Sequence, residues 1–167
     1  LPGWDARNVD VDAVLAWATG VARQAVPDAE LIRFDAMNVY PDGHADLMLS
    51  SNALISVRFL SPSRSKRDPS VPIGAVPSWH CMFQVLAMVQ TGPMIVPMDG
   101  WSCEDERPQP APRCSVRGAW QRMIARHAPS GNAVAQLGYW SGGKGEPAMW
   151  FGSVGPAFAE RFADACR

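Results

Sequence analysis

Between Trp79 and Gln90 the chain alternates. Trp79, Cys81, Phe83, Val85, Ala87 and Val89 are all apolar, while His80, Gln84 and Gln90 share the even positions with Met82, Leu86 and Met88. Successive side chains of a strand point to opposite faces. A period of two with one wholly apolar side therefore predicts a long strand laid against a core, and the rest of the chain must supply that core.

The segments around it fit an α+β fold. Asp10 is placed to cap a helix reaching about Ala25, with Val14, Leu15, Ala18, Val21, Ala22 and Ala25 as its apolar stripe. Ala29 to Tyr40 alternates as a strand, with Ile32, Phe34 and Ala36 on one face and Arg33 and Asp35 on the other. Met37 and Val39 then change parity, which predicts a bulge near Ala36 or Met37. After the turn Pro41-Asp42-Gly43, Ala45, Leu47 and Leu49 predict one strand, and Ala53, Ile55, Val57 and Phe59 predict the next, with Ser56 and Arg58 between them. Ser115 heads a second helix. Ala133–Trp140 and Ala148–Ser153 read as a hairpin, and Pro156 opens a predicted last helix lined by Phe158, Phe162, Ala165 and Cys166.

Two loops interrupt this economy. Ser61–Ser78 holds four prolines and the basic run Arg64-Ser65-Lys66-Arg67. Cys103 and Cys114 bracket a charged, proline-rich stretch containing Glu104, Asp105 and Glu106. The four cysteines show no CxxC spacing of a zinc or redox site. Their placement predicts the pairs Cys103–Cys114 and Cys81–Cys166 in a domain outside the cytoplasm, against the alternative of four reduced thiols in the cytosol. The chain starts at Leu1 rather than Met, as expected of a processed product or an excised domain. A net charge of −1 argues against a nucleic-acid partner, and no apolar run approaches the ~20 residues of a membrane-spanning helix.

One pattern crosses the chain. Ala16-Trp17, Val21-Ala22-Arg23 and Ala25 match Ala119-Trp120, Ile124-Ala125-Arg126 and Ala128 at a constant offset. That suggests one domain over residues 1–167 built from two helix-plus-antiparallel-sheet halves, 8–90 and 115–167, joined by 91–114, with a possible αβββ duplication. The helix-then-meander order resembles, in topology, the cystatin-like and PepSY-like groups of secreted α+β domains. The resemblance carries no functional residue with it.

Chemical motifs are weak throughout. Gly138 to Lys144 spells GxxxxGK, but Gly145 replaces the Ser or Thr that holds magnesium in a phosphate loop, and a strand follows. His80 and Cys81 are strand neighbours and point apart, so a Cys–His pair would need His44 or His127. The methionines lack the clustering of a soft-metal site, and no cofactor or metal is expected. Tryptophans at strand ends or turns, Trp79, Trp101, Trp140 and Trp150, suit a binding surface. The expectation is a non-catalytic module that recognises a protein or extracellular ligand, with Arg64, Lys66, Arg67, Trp101 and Trp140 as contacts. The rival is a small hydrolase using a Cys or carboxylate with a His.

Overall fold

The structure is a computed structural model, and it describes residues 4–64, 81–89, 91–98, 106–142 and 146–166. The elements in chain order are β1 (Val9–Asp10), α1 (Val11–Ala25), β2 (Glu30–Val39), β3 (His44–Ala45), β4 (Leu54–Leu60), β5 (Met82–Met88) and β6 (Gly92–Pro97). They continue with α2 (Val116–Ile124), β7 (Ala135–Ser141), β8 (Ala148–Val154) and β9 (Phe158–Ala163). It is a mixed fold of helices and antiparallel sheet, and mostly sheet.

The strands form one antiparallel layer in the order β6-β5-β4-β2-β7-β8-β9, with the short β1 and β3 attached beside β2. One register row crosses the whole layer: Ile95, Val85, Val57, Phe34, Tyr139, Trp150 and Phe162. All but Ile95 at the edge are buried, and they meet the inner faces of both helices in one core. In the aromatic centre Phe34 meets Trp150 edge-on, 6.2 Å between ring centroids, and Tyr139 meets the same ring at a tilt, 5.4 Å away. Gly152 lies under α2, where a side chain would collide with Met123.

Both helix starts follow the expected chemistry. The Asp10 carboxylate accepts from the Ala13 N–H, and the Ser115 hydroxyl accepts from the Gly118 N–H. The buried sides are Val11, Val14, Ala18 and Ala22 in α1, and Val116, Ala119, Trp120 and Met123 in α2. This phase does not follow the sequence match. Trp17 is half-buried and Ala16 exposed, whereas Trp120 and Ala119 are buried. Caps and buried positions correspond instead two residues later: Asp10 with Ser115, Val11 with Val116, Val14 with Ala119.

The alternating stretch is β5, with Cys81, Phe83, Val85 and Ala87 buried and Gln84, Leu86 and Met88 partly exposed. It lies next to the edge, while β2 and β7 occupy the middle of the layer. The expected bulge in β2 is present as a register shift against β7 between Ala36 and Val39, with Asn38 at φ 56. A second shift, against β4, falls between Leu31 and Arg33. The strand expected over Ala45–Leu49 ends at Ala45. The Asp46 carboxylate takes the Met48 N–H and turns the chain, which leaves Leu49 about half exposed.

The last element is a correction. Residues 158–163 form strand β9, not a helix, paired along β8 from Val154–Phe158 to Met149–Ala163. Phe158 and Phe162 stand four apart, a spacing that puts them on one side of a strand as well as of a helix. The free edge of β8 decides between the two. Trp150 is likewise buried at the middle of β8 and does not belong to a binding surface.

The cysteine pairs Cys103–Cys114 and Cys81–Cys166 are not formed. Cys114 is joined to Cys166, and Cys81 is also disulfide-bonded; Cys103 lies outside the described residues. Because the C-terminal segment runs as a strand, it delivers Cys166 to the start of α2. Asp164 secures the same junction. Its carboxylate accepts from the backbone N–H groups of Arg113 (2.7 Å) and Cys114 (2.9 Å) and from the Trp150 indole (3.0 Å). Burial and the negative charge of Asp164 push the Tyr139 phenol up to about 12, so it stays a neutral donor.

A second carboxylate organises the end of β4. Asp28 accepts from the Ser61 hydroxyl and the Ser63 N–H, both at 2.8 Å. Hydrogen bonds from the Ser63 hydroxyl and backbone, with that of Ser61, hold it at about 2, below its ordinary 3.8. A carboxyl depressed in the folded state stabilises above the unfolded value, and that contribution is lost as pH falls through the folded one. Asp28→Asn should therefore melt below the wild type at pH 6, and the gap should close between pH 3.8 and about 2. A gap independent of pH in thermal melts would show that the ionised carboxylate is not what matters. The group is partly open to solvent, which screens it, so the effect is expected to be small.

Candidate functional site: the open face of the sheet

Alternation in every strand gives the layer a second face, and among the described residues no helix covers it. The row Met94, Leu86, Ser56, Asp35, Gly138, Phe151 and Arg161 crosses it from edge to edge. Beside it run Arg33, Arg58, Gln84 and Val96, cross-strand partners on β2, β4, β5 and β6. At one end of the layer a smaller buried cluster forms from Ile32, Leu60, Cys81, Met82 and Met98.

A concavity of about 390 Å³ sits in the middle of this face, lined by Met37, Leu54, Ser56, Arg58, Leu86 and Phe151, with Arg33, Asp35, Gln84 and Trp140 around them. Its depth comes from Gly138. A side chain at that position would overlap the Trp140 ring, so glycine lets the indole lie down against the strand. The Arg33 guanidinium stands over the indole, with Cζ 4.3 Å from the ring centroid. The Phe151 ring packs against the same indole at a tilt, 5.6 Å between centroids.

Asp35 fixes Arg33 in that pose through two parallel bonds, Nε to Oδ2 at 2.6 Å and Nη2 to Oδ1 at 2.8 Å. The hydrogen bond to Asp35 raises the Arg33 pKa against the opposing pull of burial, with the charges of Asp35 and Glu106 adding to the rise. Arg58, directly across from Arg33, has no carboxylate within ion-pair distance among the described residues. Its Nε is buried without a hydrogen-bond partner. Ser56 donates to Gln84 Oε1 at 3.3 Å, which leaves the Gln84 amide NH₂ as a further donor beside Arg58. The concavity thus offers donors and one unbalanced positive charge between apolar walls.

A larger cavity of about 600 Å³ separates α1 from residues 108–112, which run along β2 with the Gln109 N–H on the Leu31 carbonyl. Two of its polar groups are already engaged within the fold. Asp12 caps α2 through the Val116 N–H, and the Thr19 hydroxyl bonds the Leu15 carbonyl. Burial nonetheless raises the Asp12 pKa, partly opposed by that N–H.

Of the residues expected to bind, Trp140 lies at the concavity, and Arg64 is exposed in the turn after β4. Lys66, Arg67 and Trp101 lie outside the described residues, as does most of the Ser61–Ser78 loop. Arg33, Asp35, Ser56, Arg58 and Gln84 were visible in the sequence as polar positions of strands. Their convergence depends on strand order, which no local pattern encodes. For the rival arrangement, Cys81 is buried and oxidised. His44 stands 3.5 Å from Asp42 in the turn before β3, and His127 takes a left-handed φ of 70 just past α2. Neither lines the two cavities described. The chain matches no protein-family model, no curated protein and no solved structure.

Proposed function

We propose that this chain is a non-catalytic binding module working outside the cytoplasm, and that it recognises a protein or extracellular ligand through the open face of its sheet. The observation that carries the reading is the concavity at Gly138. It combines an indole laid flat, apolar walls and hydrogen-bond donors left without acceptors, as ligand sites do. The Cys114–Cys166 disulfide accords with an oxidising compartment, and among the described residues no helix is long and apolar enough to cross a membrane.

The layout also supports a duplicated origin for the two halves. Each runs from a capped helix into antiparallel strands, and β2 and β7, the first long strand after each helix, pair at the middle of the layer.

The test uses immobilised protein and the extracytoplasmic fraction of its source. Leu86→Glu with Phe151→Glu places charge on the open face, and Arg23→Glu on α1 is the control from the opposite side. The expected result is a ligand retained by the wild type and the control and lost from the open-face variant, with all three melting alike. Retention by all three, or loss from the control alone, would remove the open face from the reading.

A further inference from the structure

We infer that the concavity at Arg58 is a carboxylate-binding site, and that its occupant is an acidic side chain flanked by apolar residues on a protein partner. This rests on the open face being the binding surface, and it assigns the chemistry recognised there.

The charges point to a single anion. Arg33 and Arg58 face each other across β2 and β4, yet Asp35, the carboxylate beside them, is clasped at both oxygens by Arg33. One cation is left over, with its Nε buried and unbonded. A guanidinium held partly out of water with no anion beside it is costly, and an arriving carboxylate offsets that cost with a charge-assisted bond to the part of the group that solvent reaches. The Gln84 amide, cross-strand from Arg58, supplies a second donor. One free guanidinium and one amide match a carboxylate, whereas a phosphate normally draws several cations or a nest of backbone N–H groups. With a whole-chain charge of −1, this local excess is not part of a general basic surface.

The walls describe what carries the carboxylate. Met37, Leu54, Leu86 and Phe151 would enclose its methylenes. The apolar surface also continues past the cavity to Met88 and Met94 on one side and Met149 on the other, with Met94 38% exposed. A small free acid would leave that rim in water, and a protein surface would cover it.

The experiment follows the Trp140 indole N–H by NMR in the folded full chain. The probes are acetyl-Phe-Glu-Leu-amide, its Gln counterpart, 3-phenylpropanoate and inorganic phosphate. The expected result is a saturable shift with the Glu peptide, weaker by about tenfold or more with the Gln peptide. The shift should be lost in Arg58→Gln and weakened in Arg58→Lys, which keeps the charge without the fork, while both variants melt like the wild type. Equal responses to the Glu and Gln peptides, or a response that survives Arg58→Gln, would overturn the site. Phosphate binding as tightly as the Glu peptide would overturn the carboxylate, and 3-phenylpropanoate doing so would overturn the protein source. No response to any probe would end the inference. The binding reading would still stand if the open-face variant lost its captured ligand.

Discussion

Trp120→Ala should lower the free energy of unfolding by about 3–5 kcal/mol. Trp120 is fully buried on the inner side of α2, and its indole N–H donates to the Val39 carbonyl at 2.9 Å. That carbonyl sits where β2 slips its register against β7, so the indole serves a backbone acceptor at a break in the ladder. Truncation opens a large hole and also orphans a buried acceptor. In a chain of this size the melting temperature should fall by roughly 10 °C. Trp120→Phe separates the two effects, because it keeps most of the volume and removes the donor, at about 1–3 kcal/mol. Urea unfolding measures both. An alanine variant within about 1 kcal/mol of the wild type would contradict the packing described.

Replacing Cys114 and Cys166 together with alanine should cost about 4 kcal/mol in the chain-entropy account, given the 52-residue separation. The double variant is preferable to a reductant, which would also open the disulfide at Cys81. The bond holds the end of β9 against the start of α2, where Asp164 already clasps the backbone of Arg113 and Cys114. The variant is therefore expected to fold and to melt earlier. Mass spectrometry of unreduced peptides should yield a species joining Cys114 to Cys166. A species joining Cys103 to Cys114, or Cys81 to Cys166, would refute the pairing.

Much of the layer was legible because it is written locally. The alternation around β5, the caps Asp10 and Ser115 and the parity change before Asn38 each concern residues a few positions apart, and the structure follows them. What failed was where two periods agree or where distant segments decide. Phe158 and Phe162 satisfy a strand and a helix equally, and pairing with β8 settled it. Trp17 and Trp120 match in sequence, yet they sit at different phases of their helices, because burial follows the caps. The cysteine pairing failed with the last helix, since a strand carries Cys166 to a different neighbour. The polar positions of the open face were each readable, but the adjacency of β7 to β2 joins residues too far apart for any window to reveal. That adjacency brings Trp140 beside Arg33.

The same seam governs how the chain is made. Phe34 pairs with Tyr139, more than a hundred residues later, so the middle of the sheet closes only after both halves exist. Contacts of such long range slow folding, because the loop must close before they contribute. During synthesis β4 can cover one side of β2 early. The other side stays an open ladder of N–H and C=O groups until β7 emerges. The nascent first half is thus the stage most exposed to self-association, and the second half acts towards it as a built-in chaperone.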